Sequence, residues 1–213
     1  MSGKVRMKMI GMFLIFFLFI VEIANATVQS GFDNAVNYTM RYPLVYTNDE
    51  FVQKKINSDI YQYIYIFRYD YSKGSFISGK FDYKLKYEDD NYVSIIVWEN
   101  RWTGGAHGQL KYIGLNYDKN TGERIPLSYF VKLSPKDSRQ IHSMVVYNER
   151  GVSVKSTFSN KYQQPLSNNY YMLGNGEIAL IYQPYQLASF SEGMTYIKLT
   201  TKWIDYFNRK NNI

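Results

Sequence analysis

The spacing of apolar positions changes character along the chain, and each change marks an element. Val52, Ile56, Ile60, Ile64 and Phe67 recur at near-helical intervals and form one stripe of an amphipathic helix. Thr47-Asn48-Asp49-Glu50 just ahead of them reads as a capping box, with Thr47 satisfying a backbone amide and Glu50 reaching back. After Lys73-Gly74 the period shortens. Phe81, Tyr83, Leu85 and Tyr87 alternate with Asp82, Lys84, Lys86 and Glu88, the pattern of a half-buried strand. The turn Asp89-Asp90-Asn91 leads into a more apolar run from Tyr92 to Trp98, so the two are expected to pair as a hairpin. A Gly-rich loop, Trp102 to Gly108, separates this run from a third strand, Leu110 to Tyr117, which closes in the turn Asp118 to Gly122.

In the second half, Ser134 opens a second helix with Pro135 at its first position and Asp137 placed to complement the dipole. Ile141, Met144 and Val145 form its apolar side, and Gly151 is its expected stop. The rest is strand-like: Tyr170 to Leu173, the turn Gly174-Asn175-Gly176, Glu177 to Tyr182, and Met194 to Thr200 before a terminal segment with Trp203 and Phe207. Helices separated by groups of hairpin strands predict an α+β fold with antiparallel sheets and two packed helices, not a doubly wound one. The expected division is residues 1–26 as a leader, 27–108 as a helix-plus-hairpin part, and 109–213 as a second α+β part. The two are expected to associate closely around one continuous core.

The start of the chain changes the picture of where it works. Lys4, Arg6 and Lys8 precede an uncharged apolar run from Met9 to Val21, and Ala24-Asn25-Ala26 places small residues at a cleavage site. The run is short of the roughly 20 residues a spanning helix needs. Cleavage after Ala26 is therefore expected, and membrane attachment only if the leader is retained. The chain has no cysteine, which rules out thiol catalysis and cysteine-type metal sites and leaves stability to packing; an exported bacterial protein fits. The formal charge is +7, of which the leader supplies +2, and the basic residues are scattered rather than blocked. No nucleic-acid footprint results. Tyrosine is abundant, at 22 residues, which suits strands or a Tyr-lined binding face.

Three local motifs carry a resemblance. They are Thr103-Gly104-Gly105-Ala106-His107-Gly108 after a strand; Tyr117-Asp118 and Thr121-Gly122 ahead of Ile125-Pro126-Leu127 and Phe130; and Gln183-Pro184-Tyr185 running to Ser191-Glu192-Gly193. With the order of elements, they resemble the bacterial envelope domain of unknown function found in lysozyme-sensing anti-sigma factors. The same domain stands ahead of the catalytic domain in some peptidoglycan deacetylases and alone in small exported proteins. The resemblance spans about Tyr38 to Trp203. It implies a two-part α+β domain that senses or binds at the cell envelope, with lysozyme the ligand of its best-understood members. Only eight residues precede the apolar run, so no sigma-factor-binding segment is expected, and no deacetylase domain is expected to follow. The positive charge does not steer the chain toward basic lysozymes, although Glu88-Asp89-Asp90 offers a local acidic patch.

Candidate chemistry is sparse. His107 sits in the Gly-rich loop, where it either caps the turn, contacts a ligand or acts as a base. His142 falls inside the second helix, so no histidine metal site is suggested. No Gly-x-Ser-x-Gly elbow or phosphate-binding loop is present, and Glu192 reads as a turn carboxylate. Trp102, Tyr185 and Phe190 flank loops as interface anchors or as sheet-edge packing. The ligand-binding set read from sequence is Trp102, Gly104, Gly105, His107, Tyr185, Phe190 and Glu192. No catalytic set, metal or cofactor is assigned. The expected function is an exported binding module for a protein ligand, lysozyme among the candidates, or for cell-wall glycan. The alternatives are an enzyme on cell-wall polymers centred on His107, or a structural partner of another envelope protein.

Overall fold

The computed structural model describes residues 27–155 and 164–212. The leader and its cleavage residues Ala24 and Ala26 lie outside the described residues. The described residues form two five-stranded sheets. In the first, β1 (Val28–Ala35), β2 (Tyr38–Val45), β3 (Ser78–Glu88), β4 (Tyr92–Trp102) and β5 (Gln109–Asp118) lie in chain order. The second has the order β7-β6-β10-β9-β8, from β6 (Val146–Asn148), β7 (Ser153–Val154), β8 (Tyr170–Gly174), β9 (Glu177–Tyr182) and β10 (Thr195–Leu199). The α+β class expected from the sequence is the one observed. The first sheet runs on through β5, past the division expected at Gly108.

The helix α1 (Glu50–Ser72) buries the five residues of the expected stripe against the first sheet. Its cap is Asp49 rather than Thr47: the Asp49 carboxylate accepts from the Phe51 and Val52 amides. Thr47 instead donates its hydroxyl to the Asp49 carbonyl, and its own amide is met by Gln53. A carboxylate directly before the first turn serves two orphan amides at once, so the helix starts two residues later than the capping-box reading has it.

The helix also links β2 to β3, which pair in parallel through Tyr38–Met40 and Gly79–Phe81. This crossover is absent from the hairpin pattern of the sequence. The β1–β2 hairpin that begins it lacks clean alternation and holds Pro43, which lies beyond the three-residue parallel ladder.

The expected second helix is shorter than its apolar spacing indicated. Ser134 and Asp137 do form a capping box, opening a 3₁₀ turn that runs into α2 (Ser138–His142). The chain then turns into β6, leaving Val145 exposed, and Gly151 (φ 78°) sits in the β6–β7 turn rather than ending a helix. The terminal segment is a third helix, α3 (Thr201–Asn211), burying Ile204 and Phe207.

The core is divided rather than continuous. One cluster lies between α1 and the first sheet, a second gathers the second sheet with α2 and α3, and a third joins the sheets through Ile96, Tyr112, Tyr171, Ala179, Ile181 and Met194. All three clusters, and both sheets, are built from residues 27–212.

Polar side chains fix the seam. β5 is an edge strand, and its outward backbone groups are met by two side-chain amides. Asn169 accepts from the Gly114 amide (2.7 Å) and donates to the Tyr112 carbonyl (2.8 Å). Gln183 accepts from the Tyr112 amide and donates to the same carbonyl, both at 2.8 Å. Buried Ser94 donates to Asn116 (2.6 Å) and accepts from the Met172 amide (2.9 Å), while Asn116 donates to the Tyr170 carbonyl (2.8 Å). Gly114 permits this approach: a Cβ there would stand 1.9 Å from the Tyr170 oxygen. The free edge of the first sheet is thus closed by the second.

Candidate functional site

Two of the sequence motifs, distant in the chain, meet on the surface. The first is the β4–β5 loop. Gly104 adopts φ 103°, a left-handed conformation that only glycine takes without strain. The Trp102 indole N–H donates to the Gly105 carbonyl (2.7 Å) and closes the loop on itself. His107 Nδ1 bonds the Gly108 carbonyl at 2.9 Å. A carbonyl only accepts, so this nitrogen carries the proton and Nε2 is left as an acceptor. The Tyr185 hydroxyl approaches Nε2 at 3.3 Å.

The second is the β9–β10 loop, residues 183–194. Gln183 anchors it to β5, and Leu187 and Ala188 are buried beneath it. The Gln183 amide donates to the Gln186 side chain (2.6 Å) and the Tyr185 amide to the Ala188 carbonyl (3.0 Å). Held this way, Tyr185 adopts φ 71°, a conformation costly for a bulky residue. The strained residue is also half exposed, at 53%. Phe190 stacks on His107 with ring centroids 4.0 Å apart and planes at 24°, and lies 5.7 Å from the Tyr185 ring.

Of the seven residues read from sequence, the structure brings His107, Tyr185 and Phe190 into one exposed aromatic cluster. Trp102, Gly104 and Gly105 shape the loop that carries His107. Glu192 turns away from the cluster. Its carboxylate accepts from the Asn148 side chain at 3.0 Å and ties the loop to β6. The bond differs from the turn carboxylate expected, because its partner belongs to another strand. The acidic turn Glu88-Asp89-Asp90 lies at the far end of β4, about 33 Å away along an extended strand. Glu88 pairs there with Lys119 (3.1 Å), and Asp89 is taken up by the Asn91 and Tyr92 amides and the Tyr87 hydroxyl.

The two histidines are apart. His142 is buried, with Nε2 on the Tyr182 hydroxyl (2.9 Å) and Nδ1 on Ser138 Oγ (3.1 Å). Among the described residues no group of three His, Asp or Glu side chains is arranged to hold a metal. The His107 cluster joins surface rings to a strained backbone.

Sequence reasoning missed the residues that set the loop pair in place, Asn169, Gln183 and Asn148. Isolated amides carry no periodicity, and only the seam gives them a role. It also missed a β-bulge in β3: the register with β4 shifts between Leu85 and Tyr87, so Leu85 is 40% exposed while Tyr87 packs with the second core. The extra residue, Lys86, lies with its ammonium 4.4 Å from the Tyr171 ring centroid, and burial lowers its pKa.

Residues 30–109 match the family model described as Deacetylase PdaC, a stretch running from β1 through the Gly-rich loop. A DUF3298 family protein from Pseudomonas aeruginosa PAO1 shares the fold at 15% identity, with a TM-score of 0.55 over 84% of this chain and 90% of that one. A DUF3298 family member from Bacteroides fragilis NCTC 9343 does so at 13% identity, with a TM-score of 0.59 over 84% and 91%. No curated protein matches. Over β1 to β4 and the Gly-rich loop the chain is thus similar to the PdaC family model, and its fold as a whole is shared with the DUF3298 proteins.

Proposed function

We propose that this chain is an exported, envelope-associated binding module whose recognition surface is the His107–Tyr185–Phe190 cluster. The observation that carries the reading is the stacking of His107 on Phe190 beneath a strained, exposed Tyr185. A conformation that costs stability at an exposed aromatic residue persists when it serves a contact. Large rings held rigidly at the surface lose little entropy on binding and act as anchors. The proposed ligand is a protein. Lysozyme is the first to test, on the strength of the sequence resemblance, and cell-wall glycan is the second. The acidic turn plays no part in this contact, since it lies at the other end of β4. Export rests on the leader sequence.

The test is binding of residues 27–213 to c-type lysozyme at physiological salt, with lysozyme activity followed in parallel. Saturable binding with inhibition, lost in Phe190→Ser, supports the reading. An enzyme centred on His107 predicts a different pattern. Turnover of cell-wall polymer would be measurable and abolished in His107→Ala, while binding of the polymer survived.

A further inference from the structure

The helix α1 is apolar on both sides, and only one side is covered. Opposite its buried stripe, Tyr61, Tyr65 and Tyr69 follow one another at four-residue spacing and are each about half exposed, between 48% and 53%. Tyr65 and Tyr69 stack with centroids 6.0 Å apart, and Ile66 and Phe51 extend the same surface at 49% and 75% exposure. Apolar area of this extent on a surface helix marks a second contact.

Charge on the helix is sorted to match. Its acidic residues Asp59 and Asp70 flank the tyrosine face and are held by Arg124 and Arg101. On the face itself stand Lys54 and Lys73, neither within ion-pair distance of a carboxylate among the described residues; Lys73 lies 5.5 Å over the Tyr69 ring. Lys55 and Arg68 border the face, paired with Glu123 and Asp33. Glu50, in the first turn, is the one carboxylate of the helix at the edge of this surface.

We infer that this face of α1 docks on an anionic lipid surface, with the helix lying in the plane of the interface. Tyrosines have an apolar body and a polar tip, and settle at headgroup depth. Lysines among them add attraction to anionic lipid. The 23 residues of the helix extend about 35 Å. The His107 cluster includes no residue of α1, so this inference stands apart from the ligand reading.

Residues 27–213, which contain both sheets and every core cluster, are mixed with vesicles of phosphatidylcholine alone or with phosphatidylglycerol, and co-sedimentation is measured. Because the chain has no cysteine, a Gln62→Cys variant labelled with an environment-sensitive dye reports from the face itself. Binding is expected to the anionic vesicles, weakening at about 0.5 M salt, with a blue shift of the dye. The triple variant Y61S/Y65S/Y69S is expected to bind at least about tenfold more weakly with an unchanged melting midpoint. Lys54→Glu with Lys73→Glu gives a second route to the same loss. Equal binding by these variants, no binding to anionic vesicles, or an unshifted dye would overturn the inference. A tyrosine-dependent dimer without vesicle binding would assign the face to a second copy and overturn it as well.

Discussion

Tyr185 shows how a single residue links conformation to role. Its amide and its neighbours' side chains hold it at φ 71°, a strain worth about 1 kcal/mol. Tyr185→Gly is expected to melt at or above the wild-type midpoint while losing ligand affinity, and parallel thermal and binding titrations check this. Were the tyrosine a packing residue, the glycine variant would melt lower. Asp137 tells the opposite story, a buried group kept for stability. Burial tends to raise its pKa, but Lys210, the Ser134 amide and Asn211 together outweigh this and hold the carboxyl below its ordinary range. A depressed folded-state pKa contributes stability at pH values above the unfolded one, and that stability is lost as pH falls through the folded value. Acid is thus expected to destabilise the chain progressively below the ordinary carboxylate range. Asp137→Ala, costing roughly 3 kcal/mol at neutral pH, should flatten that dependence in denaturant melts collected across pH.

Elements whose residues follow one period over three or more turns of chain were legible in sequence. The five-residue stripe of α1 is buried as read, because a single packed face dictates its pattern; β9 has the expected bounds for another reason, being a short apolar run buried on both faces and opened by a glycine turn. The misses have physical causes. α2 is cut short because β6 draws the chain into the second sheet. α3 was hidden because it buries only Ile204 and Phe207. β1 and β2 escaped because an edge hairpin with Phe32 exposed has no clean alternation. The site was legible in part. His107 and Tyr185 stand in motifs dense with loop-forming residues, whereas the direction of Glu192 depends on Asn148 in a different strand. At the seam the tolerance is smallest. Gly114→Ala forces a methyl group onto the Tyr170 carbonyl and should cost roughly 2–3 kcal/mol, measurable by chemical denaturation.

For the molecule as a whole, the two sheets are coupled through a polar seam and a shared cluster, and the seam also anchors the β9–β10 loop through Gln183. Residues 27–213 are expected to unfold in one transition. Asn169→Ala, which leaves the Gly114 amide without its partner and the Tyr112 carbonyl with Gln183 alone, should separate fluorescence and circular-dichroism transitions and weaken ligand binding from a distance. The central claim is that the paired loops form the recognition surface, and it is tested most directly by mapping a complex. Hydrogen exchange of the chain would be compared with and without c-type lysozyme. Protection confined to residues 103–108 and 183–193 is the predicted result. Saturable binding with protection elsewhere, at the Glu88–Asp90 turn or along α1, would contradict it, as would the absence of any protection at saturating lysozyme.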